Sequence, residues 1–115
     1  MRINITARGT TVQDSFREIL ENKLERFERF FDGETTADVT VTTRGHRETV
    51  EITIHSGGRV FRSEQTTSDR QDSLDLCVDA LFRQITRHKD KLTDHLNHEA
   101  IDFARELSEE YIGED

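Results

Sequence analysis

The sequence predicts an α+β domain of order βαβββα, a four-stranded mixed sheet with two helices packed on one face. Three observations point there. Residues 2–8 and the stretch from Val39 to Thr66 alternate apolar and polar side chains, two longer segments repeat apolar residues at helical spacing, and glycine-containing turns separate the short strands. At 115 residues, 32% hydrophobic and 35% charged, the chain has the make-up of one soluble domain rather than a membrane span or a fibre. A domain of that length buries roughly two-thirds of its unfolded surface, which is enough for a core without metal or disulfide staples.

In the first strand Ile3, Ile5 and Ala7 face one way and Arg2, Asn4, Thr6 and Arg8 the other. Gly9-Thr10-Thr11 ends it. Ser15 and Glu18 have capping-box spacing near the start of the next element, with Thr11 or Gln13 as alternative starts. Phe16, Ile19, Leu20, Leu24, Phe27, Phe30 and Phe31 then recur over four helical turns, and Gly33 supplies a stop. Val39 and Val41 begin a second strand. After the turn at Arg44-Gly45-His46, Val50, Ile52 and Ile54 form a third. Ser56-Gly57-Gly58 is a hairpin turn, because glycine accepts the positive φ such turns demand, and Arg59 to Thr66 returns as a fourth strand of open register. Ser68 or Asp69 caps a second helix with the apolar row Leu74, Val78, Leu81, Ile85, Leu92. Four strands that are each apolar on one side need one covering layer, which two helices provide, so the other sheet face is wet. If the first two strands are parallel neighbours, their crossover is right-handed.

Beyond Leu96 the chain reads as an appendage. Residues 1–96 form the body, and 97–115 an acidic tail with a weak helical stripe at Ala100, Phe103 or Ala104, Leu107 and Tyr111. The formal charge is −8, but the tail holds seven of the 24 acids and one of the 16 bases, which leaves the body at −2. Net charge therefore does not exclude a nucleic-acid partner, because phosphate attraction is screened over about 8–10 Å and acts locally. The single Cys77 rules out an internal disulfide or CxxC pair and fits a reducing cytoplasm. MRINITARG lacks the apolar run of a signal peptide, and no segment approaches the roughly 20 apolar residues of a membrane span.

Catalytic chemistry has little to stand on. Of the five histidines, His95 and His98 share a helical face but lack a third metal ligand and read as solvated side chains near a helix end, while His88 adds a partial charge to the second helix when the pH falls or phosphate is near. Gly57-Gly58 is not a phosphate loop, since neither a helix start nor Lys-Ser/Thr follows it. Cys77 flanks the apolar row as a small core filler. No cofactor, metal or small-molecule substrate is indicated.

The informative element is the second helix on a wheel of about 100° per residue. With Leu74 at zero, the apolar row falls within roughly 40° of it, whereas Arg83, Arg87 and Lys91 fall near 180°, 220° and 260°, an i, i+4, i+8 ridge facing away from the core. Lys89 lies near the boundary and snorkels outward. The competing reading is a solvated face on which Asp79 pairs with Arg83 and Asp90 with Arg87. On the first helix Lys23 points into the apolar stripe. Either its stem snorkels past Phe27, or its ammonium emerges beside the end of the second helix and joins the ridge. Arg26 and Arg29 flank that helix, and with Arg44-Gly45-His46-Arg47 they complete a cationic surface if they approach the ridge.

INITARG, KLERFERFFD, VEITIHSGG and SLDLCVDALFRQITRHKDKL, in this order and spacing, resemble the ribosome hibernation promoting factors, also called ribosome-associated inhibitor A, protein Y or sigma-54 modulation proteins. The resemblance spans about residues 2–92. It implies a fold similar to double-stranded-RNA-binding modules and a cytoplasmic, non-enzymatic inhibitor that occupies the mRNA and tRNA channel of the small ribosomal subunit. On matching positions it implies rRNA contacts by Lys23, Arg26, Arg47, Arg83, Arg87, Lys89 and Lys91. Departures stand at Ala80, Phe82 and Thr86, where many relatives carry charge, and at Arg70-Gln71-Asp72, which replaces a more apolar helix entry. The alternative expectation is a protein-interaction or self-association module acting through the tail.

Overall fold

The structure, a computed structural model, describes residues 1–89. Its elements are β1 (Arg2–Arg8), α1 (Asp14–Glu25), a 3-10 segment (Arg26–Phe30), β2 (Thr35–Arg44), β3 (Arg47–Ser56), β4 (Arg59–Thr67) and α2 (Arg70–Lys89). The order is the expected βαβββα. The strands lie in sequence order, with β1 parallel to β2 and the other neighbours antiparallel. This is a mixed sheet with its one crossover through α1. The tail stripe at 97–115, Leu92, His95 and His98 lie outside the described residues.

Strand alternation divides the sheet as expected. Ala37, Val39, Val41, Val50, Ile52, Ile54 and Phe61 are buried in one core with Leu20, Leu24 and Phe27 of the α1 arm and Leu74, Val78, Leu81 and Ile85 of α2. Thr40, Thr42, Thr49, Glu51 and their neighbours occupy the other face, over which no element among the described residues packs. Ala7 is exposed although its alternation with Ile3 and Ile5 points it inward, because it ends an edge strand where the helical layer gives out. The β4 register, open in the sequence, pairs Ser56 with Arg59 and Ile54 with Phe61, so that Phe61 and Ser63 turn inward.

The first helix settles its start and corrects its end. Of the starts open in the sequence Gln13 is the cap residue, with no side-chain capping bond, so the Ser15–Glu18 box is not used. Its last turn tightens into the 3-10 segment, and Phe31 is already extended. With three residues to the turn, the tighter segment brings Phe27 and Phe30, three apart, onto the same core-facing side, at 0% and 3% exposure. Ile19, expected in the apolar stripe, is 40% exposed. Of the two candidates for the α2 cap, Asp69 is the one that acts: its Oδ1 accepts from the Asp72 amide at 3.0 Å, and its carbonyl accepts from Ser73 N at 3.0 Å.

The Arg70-Gln71-Asp72 entry to α2 has a clear structural use. The Arg70 guanidinium donates to Thr11 O at 3.1 Å, Thr10 Oγ1 at 2.7 Å and Thr43 Oγ1 at 3.1 Å, and lies 3.5 Å from Glu48 Oε1 and 5.6 Å from the centre of the Phe16 ring. One side chain thus joins the β1–α1 loop, the β2–β3 hairpin and the start of α2. Gly9 permits this closeness. Its φ is +69°, and a Cβ there would sit 2.5 Å from the Thr43 carbonyl oxygen. Gly45 at the hairpin tip also has positive φ, with open space around it.

Gly45→Ala is expected to cost about 1–2 kcal/mol from the left-handed backbone alone, and Gly9→Ala distinctly more, because a backbone oxygen must also move. Urea denaturation of the two variants checks the ranking.

Candidate nucleic-acid interface

α1 and α2 run side by side over the sheet. Lys23 meets Asp75, and Phe30 meets Phe82 edge-on with ring centres 6.3 Å apart. The same offset in both contacts makes the helices roughly parallel. The Phe30–Phe82 contact also draws the segment carrying Arg26 and Arg29 alongside the stretch of α2 carrying Arg83. Phe82, one of the departures noted in the sequence, is thereby core, at 9% exposure.

Charge is segregated along α2. Asp72, Asp75 and Asp79 lie in its first half and Arg83 and Arg87 in its second, an arrangement that favours the helix dipole at both ends. Arg83 and Arg87 are both exposed on the side turned away from the core, as the wheel predicts. In the competing solvated reading the Asp79–Arg83 pair is present, Arg83 Nη2 lying 2.8 Å from Asp79 Oδ2 with the two side chains 70% and 40% exposed, and Asp90 lies outside the described residues. A pair so open to water holds Arg83 weakly, worth a fraction of a kcal/mol, and does not withdraw it from another partner. Arg87 has no carboxylate partner among the described residues. Lys89 ends α2, and Lys91 lies outside the described residues.

The structure extends the ridge by a residue that periodicity did not reveal. Arg59, first in β4 after the Gly57-Gly58 turn, places Nη1 3.2 Å from His88 Nδ1, while the His88 ring leans edge-on against Phe61 with centres 6.0 Å apart. The signal was the β3–β4 register, left open in the sequence.

Two of the expected residues lie elsewhere. Lys23 does not emerge beside the end of α2. It is 11% exposed, with Nζ 3.3 Å from Oδ1 of Asp75, itself 7% exposed and also accepting from Gln71 Nε2 at 3.3 Å. Its stem does run along the core side of the helix, but its charge closes the seam between α1 and α2. Arg47 is exposed at the start of β3 and faces outward from the open side of the sheet, across the domain from the α2 ridge. Arg26 is half-buried where α1 passes into the 3-10 segment, and Arg29 Nε donates to its carbonyl at 3.2 Å.

Reactive chemistry finds no footing among the described residues. No three His, Cys, Asp or Glu side chains gather as a metal site, and no helix is long and apolar enough to cross a membrane. Cys77 is fully buried, and its Sγ donates to Ser63 O at 3.3 Å. Burial pushes its thiol up from 9.0 to about 11, the opposite of what a nucleophile needs.

Fold and surface together define a small α+β domain of mixed-sheet βαβββα order that presents exposed guanidinium groups on α2. The residue profile of the sigma-54 modulation protein / S30EA ribosomal protein family matches residues 3–93, and the chain belongs to that family. It is 33% identical to the ribosome hibernation promoting factor of Azotobacter vinelandii over 91 residues, 79% of this chain and 85% of that one. It is 30% identical to the Escherichia coli K12 protein of the same name over 95 residues, 83% of this chain and all of that one. The Bacillus subtilis ribosome hibernation promotion factor matches at 33% identity over 50% of its own length. Among solved structures, the Thermus thermophilus protein Y N-terminal domain superposes with a TM-score of 0.71 at 31% identity, over 76% of this chain and 99% of that one.

Lys23→Met should lower stability by about 3–5 kcal/mol, because it strands the Asp75 carboxylate in the seam, and Lys23→Met/Asp75→Leu should recover most of that loss; chemical denaturation of the single and double variants reads both. For Cys77, the unfolded thiol ionises above pH 9 while the buried one keeps its proton. The folded state then binds more protons, and stability falls as pH rises from 9 to about 11, by about 2–3 kcal/mol in all. Measured against Cys77→Ala over the same range, the excess loss should belong to the wild type alone.

Proposed function

We propose that this chain is a ribosome hibernation factor. It binds the small ribosomal subunit in the channel used by mRNA and tRNA and silences translation by occupying that space. The observation that carries the reading is the exposed edge of Arg83 and Arg87 on the second half of α2, with Arg59 and His88 beside it and Arg26 and Arg29 on the neighbouring segment. Family membership and the names borne by the relatives supply the partner, and the edge supplies the chemistry: guanidinium groups that displace counterions from phosphate. Lys23 contributes by fixing how α1 lies against α2, not through its own charge.

Contacts to phosphate set position without reading base sequence, which suits recognition of one folded RNA cavity by shape. No bond is made or broken in this role, so the protein acts by steric occupancy in the cytoplasm, where ribosomes are. The body at 1–96 performs it, and the acidic segment 97–115 is an appendage.

Co-sedimentation with isolated small subunits tests this reading. Binding should weaken steeply as salt rises and be competed by mRNA with tRNA. Arg83→Glu/Arg87→Glu should reduce affinity at least tenfold and lower the salt slope by roughly 2, with the melting temperature unchanged. Equal binding by that variant would remove the α2 edge from the interface.

A further inference from the structure

A second concentration of positive charge lies on the open face of the sheet, away from α2. Strand alternation turns Arg8, Arg44 and Arg47 onto that face. Arg44 and Arg47 are direct partners across the β2–β3 ladder, and Arg8, last in β1, sits beside Thr42. All three are exposed and line one concavity of about 670 Å³, with the hydroxyl-bearing Thr42 and Thr49 between them.

The carboxylates nearby are already engaged. Glu51 and Glu64 border the concavity, but both are held by Arg62, at 2.5 and 3.2 Å. Glu48 accepts from Thr43 Oγ1 at 2.5 Å and faces Arg70. Among the described residues no acid pairs with Arg8, Arg44 or Arg47. Like charges opposite one another on paired strands are destabilising, and here three guanidinium groups border one hydroxyl-lined hollow whose two carboxylates are turned to Arg62. A bound polyanion relieves that repulsion.

We infer that Arg8, Arg44 and Arg47 form a second phosphate-binding surface, which grips the backbone of a different rRNA segment from the one met by α2. This rests on the proposed ribosomal role and deepens it. Three strands at about 4.8 Å spacing spread the arginines over roughly 10 Å, a footprint for a length of backbone rather than for one small ion. A helix about 10–12 Å thick stands between this face and the α2 edge, more than the Debye length of about 8 Å at physiological salt. Each face therefore attracts its own phosphates, and the domain is held between two RNA walls. Arg47, misplaced if the α2 edge were the whole interface, belongs to this second surface.

Hydroxyl-radical footprinting of small ribosomal subunits with the full chain tests the inference. Wild type should protect two separate rRNA segments. Arg8→Glu/Arg44→Glu should lose one of them, keep the other, and lower the salt slope by roughly 2; Arg83→Glu/Arg87→Glu should lose the other. Should charge reversal perturb folding, as a shifted melting temperature would show, Arg8→Gln/Arg44→Gln gives the same reading without added acids. Wild-type protections and salt slope in the Arg8/Arg44 variant, alongside a weakened Arg83/Arg87 variant, overturn the second surface and leave the proposed function standing. No change in either variant overturns both.

Discussion

Val39, Val41, Val50, Ile52 and Ile54 are sealed against Leu74, Val78, Leu81 and Ile85, and this contact between one face of the sheet and one side of α2 assigns every charged group to its place. Because strand side chains alternate, closing one face commits the intervening Arg, Thr and Glu residues to the other. Because α2 is seated by a stripe around Leu74, its arginines are carried to the far side of the helical layer. The two cationic faces are thus the two outsides of a single burial event. A one-residue slip in the β2–β3 register would bury Thr40 and Glu51 and expose the valines, so the surface charge pattern is as firmly specified as the core.

The seam between the helices adds a second level of definition. Lys23 and Asp75 meet where apolar side chains would pack equally well. A nearly buried ion pair adds little net stability, but it accepts only one alignment of α1 against α2. That alignment carries the 3-10 segment, through Phe30 and Phe82, to its position beside Arg83. Two sets of basic residues contrast. Lys23 and Arg70 are largely buried against acids and join elements of the fold, whereas Arg8, Arg44, Arg47 and Arg87 face solvent with no acid paired to them among the described residues. The formal charge of −8 describes neither group.

Much of this was legible in the sequence. Periodicity marked every element, the core row of α2, the outward ridge of Arg83 and Arg87, and the covered face of the sheet. What it missed depended on contacts between elements. The tightening of the last α1 turn follows from packing Phe27 and Phe30 together against the sheet, not from helix propensity. The Ser15–Glu18 box and Gln13 were both open as starts, and spacing alone does not choose between them. Lys23 read as a lysine in search of an exit, because Asp75 lies 52 residues away and only the helix–helix alignment brings them together. Arg47 and Arg59 depend on hairpin geometry: whether the Arg44–Arg47 turn approaches the ridge was open in the sequence, and Arg59 needed a register that β4 does not display in its own pattern.

The hydrogen-bonded hub around Arg70 has a mechanical consequence. By binding Thr10, Thr11 and Thr43 from the first turn of α2, it fastens the hairpin and the β1–α1 loop to the helical layer at one corner. A corner fastened this way acts as a gauge block. Against a crevice of matching width, little affinity would go into ordering it at the moment of contact.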